Sequence, residues 1–230
     1  MNSPLGANIM LKNIVKATFV APLLLASTSV FANSYNFTQI TNNGSTSVAS
    51  QLLVNVTQSG SNVLFKFTNS SVIASSITDI YFDYGNTNYF TSICNNILGA
   101  AGESFGVDFR DGTRGNLPSG NPIGFTADAR GSSAPPTMAN GVNFSNEFAA
   151  FLGVLSINSS FGDVIAALDS NALRIGLHVQ AIDNLGSSEL FGSESFVSAP
   201  GIPSQVPVPG AIWLFGSAIL GFAGFSNRKI

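Results

Sequence analysis

The chain has 230 residues, 45% hydrophobic and only 9% charged, with a formal net charge of −3. Globular domains carry about 25% charged residues, and so large a deficit excludes a nucleic-acid binder, which needs a basic surface against phosphate, and a coiled coil, which needs charged flanks along its seam. The 10% aromatic content argues against intrinsic disorder, because disordered chains are poor in aromatics and rich in charge.

Taken in order, the first element is an export signal. Lys12 and Lys16 precede the apolar run Ala17–Ala26, and Ser27-Thr28-Ser29-Val30-Phe31-Ala32 comes after it. A basic start, a short apolar stretch and small residues at −3 and −1 (Val30, Ala32) are what a signal peptidase reads. The run is too short to span a bilayer. Cleavage is expected between Ala32 and Asn33, and Asn33, not being Cys, excludes a lipoprotein. Met10 stands directly before Leu11-Lys12 and offers an alternative start of translation.

Alternation dominates the residues beyond this leader. In 51–57 one face is Leu52, Val54 and Val56; in 62–68 one face is Val63, Phe65 and Phe67. Period two marks half-buried strands, and Gln58-Ser59-Gly60-Ser61 supplies a hairpin loop. Further strands are expected at 35–40, 77–83, 104–109, 123–127, 148–157, 172–181 and 190–197. The intervening Gly, Asn, Ser and Pro clusters are densest at 110–122 and 131–141, long enough for functional or mobile loops. One helix interrupts the strands: Ser160-Phe161-Gly162-Asp163 resembles a capping box, Val164, Ile165 and Leu168 form an apolar stripe, and Asn171 can close it. A Pro-rich spacer occupies 199–205.

The last element is a second apolar run, 206–225, without a charge. Twenty residues at about 1.5 Å each span roughly 30 Å, one hydrocarbon thickness, and Arg228 and Lys229 behind it would be held on the cytoplasmic side. With the leader exporting the rest, the expected topology is an outside domain, a single transmembrane helix and an inside basic tail.

This end, with the motif Val206-Pro207-Val208-Pro209, the span opening Ala211-Ile212-Trp213-Leu214-Phe215-Gly216-Ser217 and the basic cluster, resembles the PEP-CTERM sorting signals of Gram-negative bacteria in their VPxP form. It departs from them in lacking the Glu of the eponymous Pro-Glu-Pro. The resemblance implies processing by an exosortase, a membrane cysteine transpeptidase, and delivery to the cell surface or exopolysaccharide matrix. In the body, 76–83, 140–143, 173–180 and 192–196 also resemble a group of exported PEP-CTERM proteins, which carries no activity over.

The body is more acidic than the chain: residues 33–205 hold five basic against twelve acidic side chains, a balance of −7. His178, the single histidine, lies with Arg174 and Gln180 on one strand face, opposite Leu173, Ile175, Leu177 and Val179. It is a base or ligand by type, but zinc needs three or four ligands and no second His exists. A Ser-His-Asp arrangement is possible arithmetically, since serine is abundant. Cys94 is single, so it forms no internal disulfide. Asp79, Tyr81 and Asp83 share a strand face, and Asp108 with Asp111-Gly112 opens the long loop. These acids suit calcium or a glycosidase pair, or are ordinary turn acids, and they match no calcium-loop motif. Tyr81, Phe82, Tyr84, Tyr89 and Phe90 crowd one segment, which suits either sugar stacking or a core.

The expectation is an all-β protein, an antiparallel, jelly-roll-like β-sandwich with one short helix. Its parts are a signal peptide (1–32), an extracytoplasmic domain (33–198), a spacer (199–205) and a sorting signal (206–230). The expected role is that of an exported, non-enzymatic surface or matrix protein without a cofactor, calcium being the one alternative. Its partners would be signal peptidase, exosortase and the membrane before processing, and exopolysaccharide after it. A carbohydrate-binding module and a secreted hydrolase are the competing readings.

Overall fold

A computed structural model of the chain describes residues 32–43, 46–70, 73–94, 102–112, 115–144, 147–183 and 192–200. The leader with Met10, the sorting motif Val206–Pro209, the apolar span with Trp213, and Arg228 and Lys229 all lie outside the described residues. Among the described residues no helix is long and apolar enough to cross a membrane.

Alternation pins the best-marked strands to each other. In Leu52–Ser59 (β2) and Asn62–Asn69 (β3), the expected inward residues Leu52, Val54, Val56, Val63, Phe65 and Phe67 are all buried. They pair from Leu52↔Asn69 to Ser59↔Asn62, which leaves a two-residue turn, Gly60-Ser61. A slip of one residue would turn every one of these side chains to the opposite face, so burial fixes the register.

Among the described residues nine other strands join them: β1 (Ala32–Gln39), β4 (Ser76–Asp83), β5 (Phe90–Cys94), β6 (Phe109–Asp111), β7 (Ala129–Ser133), β8 (Val142–Asn143), β9 (Phe148–Leu155), β10 (Arg174–Ile182) and β11 (Gly192–Ser198). Every pairing is antiparallel, in the order β5-β9-β3-β2-β1-β11-β10-β4-β7-β6, with β8 beside β4. Strand β1 is the fold line: residues 32–36 pair with β2 and 37–39 with β11. The inner faces of the two halves meet edge-on through aromatic rings, Phe65–Phe82 at 5.2 Å, Phe67–Phe82 at 6.1 Å and Phe109–Phe151 at 5.8 Å between centroids, the geometry that suits ring quadrupoles. The protein is therefore all-β and sandwich-like.

The one helix among the described residues, α1 (Phe161–Asp169), has the expected capping box: the Asp163 N–H donates to Ser160 Oγ at 3.2 Å, and the Ser160 N–H donates to the Asp163 carboxylate at 2.8 Å. Val164, Ala167 and Leu168 are its buried residues and Ile165 is only half-buried. Asn171 takes a left-handed φ of 60° just past the end, as expected of a helix stop.

Two expected strands are absent. Residues 104–108 form a turn, tied to β9 through the Ser104 N–H on the Phe148 carbonyl, and the chain enters a strand only at Phe109. At 123–127 the chain makes a 3-10 turn, Asn121–Ile123, and then irregular backbone, because Phe125 is buried against the face of the sheet rather than aligned with a neighbouring strand. Strands β5, β7 and β8 lie outside the expected set; β7 (Ala-Arg-Gly-Ser-Ser) shows no large apolar alternation because its inward residues are small, Ala129, Ser133 and between them Gly131 under the Phe151 ring.

Candidate functional site

The site lies on the outer face of the half-sheet built from β11, β10, β4 and β7. Burial of Ile175, Leu177 and Val179 on the inner face leaves Arg174, Gly176 and His178 facing out, and register sets them against the outward residues of β4: Arg174↔Asp83, Gly176↔Tyr81 and His178↔Asp79. Part of this face is roofed. Leu117 and Phe125, from the loop preceding β7, are buried there with Tyr81 and Val197. Gly176 lies directly beneath them, where a Cβ would crowd the Leu117 side chain. The loop expected at 110–122 is thus a cover, at least over its described part from residue 115.

Below the roof, Arg174 pairs with Asp83, donates to the carbonyls of Ile123 and Gly124, and stacks over Phe125 at 5.3 Å. Above it the polar groups form a chain across the strands. Arg130 of β7 lies over the Tyr81 ring at 5.1 Å and donates to Asp79 Oδ1 at 2.7 Å. Asp79 Oδ2 lies 3.2 Å from His178 Nδ1, and His178 Nε2 lies 2.7 Å from Ser193 Oγ on β11. The Asp79 and His178 side chains are only 13% and 15% exposed, while Ser193 is half-buried.

Two irregularities bracket this row. Between β10 and β4 the pairing jumps from His178↔Asp79 to Val179↔Ile77, so Thr78 is an extra residue; its hydroxyl donates to the His178 carbonyl at 3.3 Å. Between β10 and β11 it jumps from Val179↔Glu194 to Ile182↔Gly192, so Ser193 faces two residues, Gln180 and Ala181. Ala181 has φ 55°, a left-handed conformation that costs a residue with a Cβ about 1 kcal/mol or more. Bulges of this kind re-aim side chains.

Burial by itself would raise the Asp79 carboxyl, but the hydrogen bonds from His178 and Arg130 outweigh it and hold Asp79 down at about 2. An ionised Asp79 only accepts, so the Nδ1 of His178 is its donor; in the neutral ring Nε2 then accepts from the Ser193 hydroxyl. The Tyr81 phenol beside them is pushed up to about 12, first by burial and then by the Asp79 charge.

The other candidates are dispersed. Asp79, Tyr81 and Asp83 do share a face, but Asp79 is taken by Arg130 and His178. Asp83 is taken by Arg174 and by the N–H groups of Gly85 and Thr126. Four residues along a strand also put Asp79 and Asp83 about 13 Å apart, beyond the roughly 5–9.5 Å of a glycosidase pair. Asp108 pairs with exposed Arg110 at 2.9 Å, and no group of three or more His, Cys, Asp or Glu gathers among the described residues. Of the aromatic cluster, Tyr81, Phe82 and Phe90 are buried, and half-buried Tyr84 and Tyr89 pack on Phe90 at 5.8 and 6.4 Å. Cys94 ends β5, and its side chain lies outside the described residues. Ala32 and Asn33 open β1, paired with Thr57 and Val56.

Sequence reasoning raises a Ser-His-Asp set without naming its serine or its acid, and it misses Arg130; only strand register brings them together. The chain matches no protein-family model, no curated protein and no solved structure.

Proposed function

We propose that the chain is an exported protein, freed of its leader after Ala32, sorted through its C-terminal signal by an exosortase-type enzyme, and delivered to the cell surface or exopolysaccharide matrix. The observation that carries this reading is where the sheet begins and ends. Among the described residues its first strand starts at Ala32 and its last ends at Ser198, and these two strands are neighbours, with Phe37 opposite Ser198 and the Ala199 N–H donating to the Asn36 carbonyl. The chain thus enters and leaves the sheet through adjacent strands. Cleavage after Ala32 and again beyond the spacer would remove one pairing position, Ala32↔Thr57, and leave buried Tyr35 and Phe37 in place.

We take the folded sheet as a sandwich of jelly-roll type, supported by early strands pairing with late ones: β1 with β11, β4 with β10, β3 with β9. Exopolysaccharide remains the expected surrounding medium. With Tyr81 covered by Leu117 and Phe125 and with Phe82 and Phe90 buried, the aromatic cluster gives no support to a stacking platform for sugars.

Replacing Arg228 and Lys229 by neutral residues tests the sorting step, because it removes the positive charge that holds the tail inside. The expected outcome is uncleaved precursor accumulating in the membrane fraction; a surface yield equal to that of the unaltered chain would overturn the reading.

A further inference from the structure

The geometry points to Ser193 as a nucleophile, activated by His178 and Asp79, that hydrolyses carboxylic esters of short acyl groups. This goes beyond the sorting reading, which concerns where the domain is delivered. It also departs from the sequence-based expectation of a domain without chemistry of its own. Three side chains on neighbouring strands need no Gly-x-Ser-x-Gly elbow, a device for raising a serine at a strand-to-helix turn; the one such sequence in the chain, Gly102-Glu103-Ser104-Phe105-Gly106, lies in a turn with no helix after it, and its Ser104 hydroxyl accepts from the Phe148 N–H at 2.7 Å.

Three observations carry the inference. The first is connectivity in the productive order: acid to Nδ1 at 3.2 Å, Nε2 to hydroxyl at 2.7 Å. This is the order in which an acid fixes the imidazole tautomer and the ring takes the serine proton. The second is construction. A bulge flanks the row on each side, one of them with the left-handed Ala181 opposite Ser193. Regular pairing would be cheaper, and irregularities of this sort concentrate next to active sites. The third is partial burial: the acid and imidazole side chains are only 13% and 15% exposed, and the serine beside them on the outer face is half-buried as well. The Arg130 guanidinium on the far Asp79 oxygen holds the carboxylate in place against the ring.

The chemistry balances without a cofactor. Ser193 Oγ bonds to the ester carbonyl carbon as its proton passes to His178 Nε2. The adduct collapses, the bond to the alkoxy oxygen breaks, and the departing alcohol takes the proton from Nε2. Water then attacks the acyl-serine, giving its proton to His178, which returns it to Ser193 Oγ as the acid leaves. The surroundings are polar, with Asn43 Nδ2 donating to the Ser193 carbonyl at 2.6 Å, which suits a short acyl group. Esters are the fitting class, since their carbonyls are more electrophilic than those of amides.

The test treats the full-length chain in detergent with a fluorophosphonate probe and, separately, with p-nitrophenyl acetate. The expected result is a probe adduct that maps to Ser193, with ester hydrolysis falling about 10²–10⁴-fold, the share of general-base catalysis, in Ser193→Ala and in His178→Gln. No adduct at Ser193, an adduct on a different residue, or a Ser193→Ala chain as active as the unaltered one would each overturn the inference. Adduct mapping needs no variant, so a substitution that prevents folding leaves the test decisive.

Discussion

Replacing Asp79 by Asn removes a charge that the fold has made expensive to neutralise. The carboxyl sits at about 2 against an ordinary 3.8, because the stabilisation from His178 and Arg130 exceeds the cost of its burial. At about 1.4 kcal/mol per pKa unit, the ionised form is favoured in the folded state by about 2 kcal/mol. The side chain is only 13% exposed, so solvent takes little of this back. A depressed carboxyl stabilises the fold fully above its unfolded value, near 3.8, and that share is lost as pH falls through the folded value, near 2. Asp79→Asn should therefore be less stable by about 2 kcal/mol at pH 7, and the gap should shrink to about half by pH 3. Urea unfolding followed by circular dichroism at about pH 7, 4 and 3 spans that window. A gap of the same size at both ends of the window would contradict this, since it would mean that Asp79 contributes by shape and not by charge.

Gly131→Ala should lower stability by about 1–3 kcal/mol, the usual cost of overpacking, because the new Cβ would overlap the Phe151 ring at the centre of the aromatic core; an unchanged thermal midpoint would contradict that packing. Ser160→Ala should cost about 1 kcal/mol through loss of the capping hydroxyl on the Asp163 N–H, read as a lowered urea midpoint with an unchanged slope.

How far the fold and the site are legible in the sequence depends on what each element relies on. Strands β2 and β3 bury alternate residues and so write their period into the sequence, and α1 writes its cap as Ser160 and Asp163. Strand β7 and the loop before it cannot be read in the same way. The inward side chain of β7 is missing at Gly131, and Leu117 and Phe125 are buried by a loop lying across a sheet, a contact that has no period. The acidic face Asp79–Tyr81–Asp83 is visible, but its partners Arg130, Arg174 and His178 come from strands distant in the sequence. Ser193 is one of many serines, and nothing marks it until two bulges bring it to His178. Chemistry built from long-range register leaves little trace in local pattern.

The most direct measurement of the central claim is the intact mass of the protein recovered from the surface or extracellular fraction. The expected chain begins at Asn33 and ends near residues 206–210; it therefore lacks Trp213, the single tryptophan, and shows tyrosine fluorescence alone. Recovery of a chain that still contains Trp213, Arg228 and Lys229 would contradict C-terminal processing, and retention of Lys12 and Lys16 would contradict cleavage after Ala32.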